Sequence, residues 1–280
     1  MSKKSMKKDI ALFPGYLILV MWLAFTTVAI GWIFVASVST TREIFTNTLL
    51  SSGLHFENYV KAIVNQNLGR CFINTTLYTI VTCVGTIIVS APAAYVLGRM
   101  EFRGHRLTKN MLVIMMSIPG IMVMIPVFTM LTKLHLTGSL LTLMIIYICL
   151  NIPFNVFFLS GFFSTIPHAI EEAGLIDGCS AFSVFWKVML PMAQPGIITV
   201  TLFNFLGTWN EYIWALIFSS KEANRTLALG LQSILQSMTY TGDWAGLFAG
   251  VVIVFLPTFI IYIFLSEKII AGVTAGAVKG

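Results

Sequence analysis

Six long stretches of the chain are mostly apolar and, apart from Glu211 in the fifth, contain no Asp, Glu, Lys or Arg. A helix needs about 20 predominantly apolar residues to cross the hydrocarbon core of a bilayer, and each stretch reaches that length. The pattern therefore predicts six membrane-spanning helices. Their approximate bounds are 11–38, 71–98, 110–132, 140–163, 193–219 and 244–266.

The composition supports the same fold class and excludes others. Of the 280 residues, 57% are hydrophobic and 10% are charged, whereas a soluble domain carries about 25% charged residues. This balance excludes disordered, collagen-like and disulfide-scaffold classes and favours an all-α, polytopic membrane protein. The four cysteines and four histidines show no metal-ligand spacing, so we expect no metal site. The net charge is +6, but the Lys and Arg residues lie between the apolar stretches and do not form a basic face on a soluble domain. We therefore expect no nucleic-acid partner.

The basic residues orient the predicted helices. Lys3, Lys4, Lys7 and Lys8 precede the first span, and six spans place both termini on the same side of the membrane. If that side is the cytoplasm, eleven of the 17 Lys and Arg residues lie inside, as the positive-inside rule requires. The first apolar stretch is about twice as long as the core of a signal peptide, and no small-x-small cleavage site follows it, so we interpret it as a retained helix.

The segment between the fourth and fifth spans, residues 164–191, breaks the apolar pattern. Pro167 suits the first position of a helix, Glu171 suits the positive end of the helix dipole, and Gly178 suits its end. Small, acidic and apolar residues share one face of such a helix, at Ala169, Glu172, Ala173 and Ile176. Two interpretations stay open: a helix that docks on another protein through the Glu172 carboxylate, and a re-entrant packing loop in which Glu172 only caps the helix.

This segment resembles the signature loop of the permease subunits of binding-protein-dependent ABC importers. The signature is Glu-Ala-Ala-x-x-x-Gly, then nine residues, then Ile-x-Leu-Pro. The matching residues are Glu172, Ala173, Gly178, Leu190 and Pro191, in register. Gly174 stands where alanine is usual and Val188 where isoleucine is usual. Because glycine costs about 1 kcal/mol relative to alanine inside a helix, Gly174 is expected to loosen the helix slightly.

The resemblance extends over most of the chain and is specific to the carbohydrate branch, the shorter maltose-type permeases. The further residues that carry it are Asn58, Tyr59, Phe72, Asn74, Asp177, Trp209, Asn210, Glu211, Tyr212 and the tail 274–280. It implies a single transmembrane domain, 1–280, with a bundle of six helices and a cytoplasmic coupling helix between spans four and five. It also implies half of the translocation path for a sugar or oligosaccharide, in the bacterial cytoplasmic membrane.

The same resemblance implies partners and the residues that meet them. The partners would be a second, different permease subunit, two copies of an ABC ATPase, an extracytoplasmic solute-binding protein and membrane lipid. The residues implied in ATPase coupling are Glu172, Ala173, Gly174, Asp177, Gly178, Leu190 and Pro191. The C-terminal tail, 267–280, would make a second ATPase contact through Thr274, Ala275, Gly276, Val278 and Lys279.

The source of energy separates two hypotheses. The chain has no Gly-x-x-x-x-Gly-Lys-Ser/Thr phosphate loop, so we expect that it is not an enzyme, holds no cofactor, and leaves ATP and Mg to a partner. The alternative is an ion-coupled secondary transporter in which Glu211 titrates or binds a cation. Such transporters usually contain repeated halves with matching broken helices, and this sequence has no such internal symmetry.

Glu211 is the acid inside a predicted span, where a charged side chain costs at least about 2.5 kcal/mol to insert. One interpretation places Trp209, Asn210 and Glu211 along the translocation path, where aromatic and hydrogen-bonding groups suit a sugar. In the other, Glu211 fixes a bend in the helix by bonding to neighbouring groups. The residues alone leave both open.

Overall fold

The computed structural model describes residues 3–219 and 221–277, with side chains described for residues 12–219 and 221–264. All regular structure in these residues is helical. The helices of the first half are α1 (Lys3–Ser37), α2 (Thr41–Thr46), α3 (Glu57–Val60), α4 (Leu68–Arg99), α5 (His105–Ser117), α6 (Gly120–Lys133) and α7 (Leu140–Phe163). Those of the second half are α8 (His168–Ile176), α9 (Ala181–Val184), α10 (Leu190–Met192), α11 (Gln194–Trp209), α12 (Ile213–Phe218), α13 (Leu227–Thr241) and α14 (Trp244–Ala277). Short π-helices occupy Lys61–Asn65 and Phe185–Met189, and a 3₁₀ turn occupies Glu222–Asn224.

Four helices are long and apolar enough to cross a membrane, over Leu12–Ser37, Leu68–Arg99, Leu140–Phe163 and Trp244–Phe264. Two bent pairs meet the same criteria when each is taken as one span. In the first pair α5 and α6 meet at 95°, and in the second the segment Ala181–Met192 meets α11 at 72°. The described chain therefore contains between four and six candidate spans.

A proline lies at each bend. Ile118 is extended (φ −79°, ψ 119°) because the ring of Pro119 disfavours the helical conformation for the residue before it. Pro195 occupies the first turn of α11, where its missing N–H removes no hydrogen bond. Pro92 and Pro153, in contrast, lie inside α4 and α7 without ending them.

The chain divides into two compact units. The first consists of Met1–Leu68 and Leu231–Phe255. In it Trp32 packs edge-on against Phe248, with ring centroids 5.1 Å apart. The buried Asn58 amide donates hydrogen bonds to two main-chain carbonyls near the end of α1, at Ser37 (3.0 Å) and Ser39 (2.9 Å).

The second unit consists of Gly69–Gly230 and Leu256–Gly280 and contains two apolar clusters. One cluster joins the C-terminal half of α4 to α7, the segment 184–193 and α11. The other joins Tyr78 near the start of α4 to α6, α7 and α12. The first of these clusters supports helix α8 and thereby positions the candidate site.

Candidate functional site

The predicted face of helix α8 is exposed on the surface of the protein. Ala169, Glu172, Ala173 and Ile176 are all exposed, and Ile176 is 85% exposed. Within the described residues Glu172 makes no hydrogen bond or ion pair, and the helix has no side-chain cap at its start. Pro167 precedes the helix at the N-cap position rather than at its first turn. Glu172 therefore does not cap the start of α8 in this structure.

The end of α8 is set by Gly178, as the sequence predicts. Gly178 has φ +82°, a left-handed conformation that glycine adopts without steric cost. Its N–H donates to the carbonyl of Leu175, and the N–H of Cys179 donates to the carbonyl of Gly174, both at 3.1 Å. This is the Schellman pattern, which satisfies the last carbonyl groups of a helix. Asp177 is the C-cap residue, and it is exposed.

The opposite side of α8 packs on the segment that follows it. A Cβ atom added to Gly174 would lie 3.2 Å from a methyl carbon of Val184, closer than ordinary van der Waals contact, and α8 continues unbroken through this position. Gly174 thus allows close packing at the position where alanine is usual. Further along, Leu190 is half-buried against the first apolar cluster and Pro191 is exposed.

Glu171 fastens α8 to α4. Its carboxylate accepts hydrogen bonds from Nε of Arg99 at 2.8 Å and from the hydroxyl of Tyr95, and Nη2 of Arg99 lies 2.8 Å from the same carboxylate. Nη1 of Arg99 donates to the carbonyl of Ile166 at 2.7 Å. The Arg99 side chain is 1% exposed, so water competes little for these contacts. We call Tyr95, Arg99 and Glu171 the inner anchor.

Sequence reasoning missed the inner anchor. The sequence indicates for Glu171 only a favourable position on the helix dipole, and it indicates no partner for Arg99. The two residues are 72 positions apart, and no local pattern pairs them. Two features of the sequence could have indicated the inner anchor. Arg99 directly follows a predicted span, and the short helix carries two adjacent acids, of which only Glu172 belongs to the predicted docking face.

The three residues of the candidate translocation path lie in different surroundings. Trp209 is 3% exposed and stacks on Phe205, with ring centroids 5.4 Å apart. Asn210 is exposed and donates to the carbonyl of Leu206 at 2.9 Å. Glu211, which is half-buried, lies in the break between α11 and α12.

The Glu211 carboxylate accepts three hydrogen bonds. It accepts from the main-chain N–H groups of Trp214 at 2.7 Å and Ala215 at 3.0 Å, and from the hydroxyl of Tyr147 at 2.6 Å. These N–H groups belong to the first turn of α12 and have no partner within that helix. These contacts are the ones expected if Glu211 fixes the helix break, and its place along the translocation path stays a prediction.

The N-terminal half of α4 binds a loop through three side chains. Arg70 Nε donates to the carbonyl of Ala223 at 3.1 Å, and Asn74 donates to the carbonyls of Ala223 (2.9 Å) and Arg225 (3.0 Å). The Tyr78 hydroxyl donates to the carbonyl of Asn224 at 3.1 Å. We call Arg70, Asn74 and Tyr78 the outer anchor, and residues 221–226 the outer loop.

The predicted tail contacts are only partly within the described residues. Helix α14 extends to Ala277, so the main chain of Thr274, Ala275 and Gly276 belongs to its last turns. Val278 and Lys279 lie outside the described residues. The tail contact therefore stays a prediction.

Comparison with known proteins identifies the family. Residues 90–267, well over half of the chain, match the profile described as "Binding-protein-dependent transport system inner membrane component". The chain belongs to this family. It is therefore a multi-pass protein of the inner membrane and a transport permease, not a member of an enzyme family.

Individual relatives cover nearly the whole chain. The chain is 31% identical over 266 residues to the diacetylchitobiose uptake system permease protein NgcG of Streptomyces coelicolor, covering 95% of this chain and 88% of that protein. It is 33% identical over 281 residues to the probable starch degradation products transport system permease protein AmyC of Thermoanaerobacterium thermosulfurigenes, covering 100% of both. These relatives support an importer permease over the ion-coupled alternative.

A solved structure has the same fold. A chain of a bacterial ABC transporter involved in the import of the acidic polysaccharide alginate superimposes with a TM-score of 0.80 at 23% identity. The superposition covers 95% of this chain and 98% of that chain.

Proposed function

We propose that the chain is a permease subunit of an ATP-driven ABC importer and that it carries a sugar or oligosaccharide into the cytoplasm. The observation that carries the proposal is the arrangement of α8. One side of this helix is held by the inner anchor and by Val184, while the other side exposes Glu172, Ala173 and Ile176. A helix fixed on one side and exposed on the other is suited to docking in a groove of a second protein.

In this proposal the chain has six spans, with each bent pair counted as one, and cytoplasmic termini. The distribution of Lys and Arg supports that orientation. Helix α8 then lies in the cytoplasm between the fourth and fifth spans. The whole chain, 1–280, acts as one transmembrane domain.

Coupling to the ATPase runs through the exposed face of α8. Glu172 pairs with an arginine or lysine of the ATPase, and Ala173 permits close approach of the two surfaces. Gly178 and Asp177 fix the end of the helix, and Leu190 and Pro191 hold the start of the following span. The tail residues Thr274, Ala275, Gly276, Val278 and Lys279 make a second contact. ATP and Mg are bound by the ATPase and not by this chain.

The proposed assembly contains a second, different permease, two ATPase copies and an extracytoplasmic solute-binding protein. One structural neighbour comes from an alginate ABC transporter in complex with a periplasmic protein that holds an alginate pentasaccharide, and it supports this kind of assembly. Relatives named for uptake of diacetylchitobiose, starch degradation products and trehalose support a carbohydrate substrate.

For the translocation path we propose that Asn210 meets the solute, because it is the exposed member of the three candidate residues. Trp209 and Glu211 act indirectly. Trp209 packs against Phe205, and Glu211 holds the break between α11 and α12, so both keep Asn210 in position.

The coupling proposal is tested with Glu172→Ala in the assembled importer. We expect stable insertion, with loss of solute uptake and of the ATP hydrolysis that a loaded binding protein stimulates, because the pairing charge is gone. Glu101→Ala is the matched control, since Glu101 is an exposed acid outside α8, and it should leave both activities unchanged. Normal uptake by Glu172→Ala would refute the coupling role.

A further inference from the structure

Helix α4 is bonded near both of its ends to segments that are distant in the chain. It has 32 residues, which at 1.5 Å per residue correspond to about 48 Å, enough to cross a bilayer. The inner anchor joins its last turns to α8, and the outer anchor joins its first turns to the outer loop. All of these residues lie in the second unit.

The inner anchor has the geometry of a stiff contact. The guanidinium group of Arg99 donates from Nε to the Glu171 carboxylate and from Nη1 to the Ile166 carbonyl, and its Nη2 lies 2.8 Å from the same carboxylate as an ion-pair contact. Two directed hydrogen bonds from one planar group, to two different acceptors, fix its orientation, which a single point contact would not do. Tyr95 adds its hydroxyl bond to the same carboxylate. These contacts therefore hold α8 to the end of α4.

The outer anchor is also built from several contacts. Asn74 is 9% exposed and bonds to two carbonyls of the outer loop, while Tyr78 is 1% exposed and bonds to a third. In addition, the hydroxyl of the buried Thr75 accepts a hydrogen bond at 2.7 Å from the N–H of Leu227, directly after the loop. The outer loop is held to α4 at successive residues and has to follow it.

We infer that α4 mechanically links the ATPase-facing helix to the outer loop, with Arg99 and Asn74 as the positioning residues at its two ends. The inference rests on the proposed function, which supplies the ATPase at α8 and an outer side at residues 221–226. In the assembled importer, closure of the ATPases on nucleotide displaces α8, and α4 transmits that displacement to the outer loop. By linkage, a protein bound at the outer loop biases the position of α8 by the same free energy.

The experiment measures labelling rates of single cysteines by a water-soluble maleimide in the assembled importer. Cys149→Ser and Cys179→Ser remove the two native thiols that are not buried. Ile176→Cys on α8 reports docking of the ATPase, and Lys221→Cys reports the outer loop; both positions are exposed. Rates are compared between the chain without the ATPase and the assembled importer, and in the importer with and without a non-hydrolysable ATP analogue.

Two variants break the link at different ends. Arg99→Gln with Glu171→Gln removes the ion pair without leaving a buried charge unpaired, so the chain is expected to fold. Asn74→Ala removes two hydrogen bonds at the other end. Arg103→Gln is the matched control, because Arg103 is an exposed arginine with no contact to α8 among the described residues.

In the parent and in Arg103→Gln, nucleotide should change the Lys221→Cys labelling rate by at least about five-fold, the lower end of ordinary coupling between sites. In both link variants that change should fall below about two-fold, while the ATPase still protects Ile176→Cys. Two results would overturn the link through α4 but leave the proposed function standing. In the first, nucleotide changes the Lys221→Cys labelling rate as strongly in the link variants as in the parent. In the second, nucleotide changes the Ile176→Cys rate in the parent but not the Lys221→Cys rate. No protection of Ile176→Cys by the ATPase would overturn the proposed function as well.

Discussion

Two adjacent acids on α8 have opposite surroundings. The Glu171 side chain is 17% exposed and contacts Arg99 and Tyr95, whereas Glu172 is exposed and has no such contacts within the described residues. Successive helical residues point about 100° apart, because the helix has 3.6 residues per turn. One carboxylate can therefore hold the helix to its own chain while the next is available to a partner.

At Gly178 we predict that Gly178→Ala weakens the end of α8. At φ +82°, which lies in the left-handed region, a residue with a Cβ atom has a conformational free energy about 1 kcal/mol less favourable than that of glycine. The expected result is a small drop in the thermal unfolding midpoint and faster proteolysis between α8 and α9. Gly207→Ala is the control, since Gly207 is helical and a Cβ there meets nothing within 4 Å. Equal midpoints for the two variants would contradict this role of Gly178.

Glu43 is a second carboxylate whose surroundings define its role. It is 5% exposed and accepts hydrogen bonds from the main-chain N–H groups of Thr40 and Ser52 and from the hydroxyls of Ser51 and Ser52. Led by the Thr40 bond, these contacts hold the pKa of Glu43 far below its ordinary value of 4.5. The ionised form is the one that stabilises the segment after α1.

From this shift we predict a pH-dependent effect of Glu43→Gln. A lowered folded-state pKa contributes stability above the unfolded-state pKa, and this contribution is lost as the pH falls toward the folded-state value. Glu43→Gln should therefore lower the unfolding midpoint at pH 7, and the difference from the parent should shrink below about pH 4.5. Glu222→Gln, at an exposed acid, is the control. A difference that grows on acidification would have the wrong sign for this mechanism.

At the scale of helices, the charge pattern located candidate membrane-spanning segments but not their breaks. The helices over Leu68–Arg99 and Leu140–Phe163 start and end within three residues of the predicted bounds. The interval 110–132, in contrast, contains a 95° bend, and the interval 193–219 contains the break at Glu211. The apolar pattern does not report such breaks, because proline ends the helix at Pro119 but leaves it continuous at Pro153, and the break at Glu211 contains no proline. Packing partners decide between the two outcomes.

Close packing between α4 and α7 gives a prediction for Gly98. A Cβ atom at Gly98 would lie 2.6 Å from the main-chain carbonyl oxygen of Ser160, which cannot move without shifting α7. Gly98→Ala should therefore destabilise the protein by about 1–3 kcal/mol, as overpacked positions do. Gly161→Ala, inside α7 and with nothing within 4 Å of its Cβ, should be neutral or slightly stabilising. The unfolding midpoint in detergent distinguishes them, and equal stability of the two variants would rule out the close contact.

At the scale of the whole molecule, the sequence could identify a membrane permease because its signature residues lie in one local segment. Glu172, Ala173 and Gly178 are within seven positions, so their spacing can be read without a structure. The inner and outer anchors could not be read in this way. Arg99 meets Glu171 across 72 positions and Asn74 meets Ala223 across 149, and these distances close only through packing of the helices. The role of Glu211 also required knowledge of the break in which it lies.

The most direct test of the proposed function is purification of the tagged chain from its native membrane in mild detergent, with mass identification and an ATPase assay of the proteins that accompany it. We expect recovery of a second permease and of an ATPase with a phosphate loop, with measurable ATP hydrolysis by the complex. Recovery of the chain alone, together with solute movement in liposomes driven by an ion gradient without ATP, would contradict it.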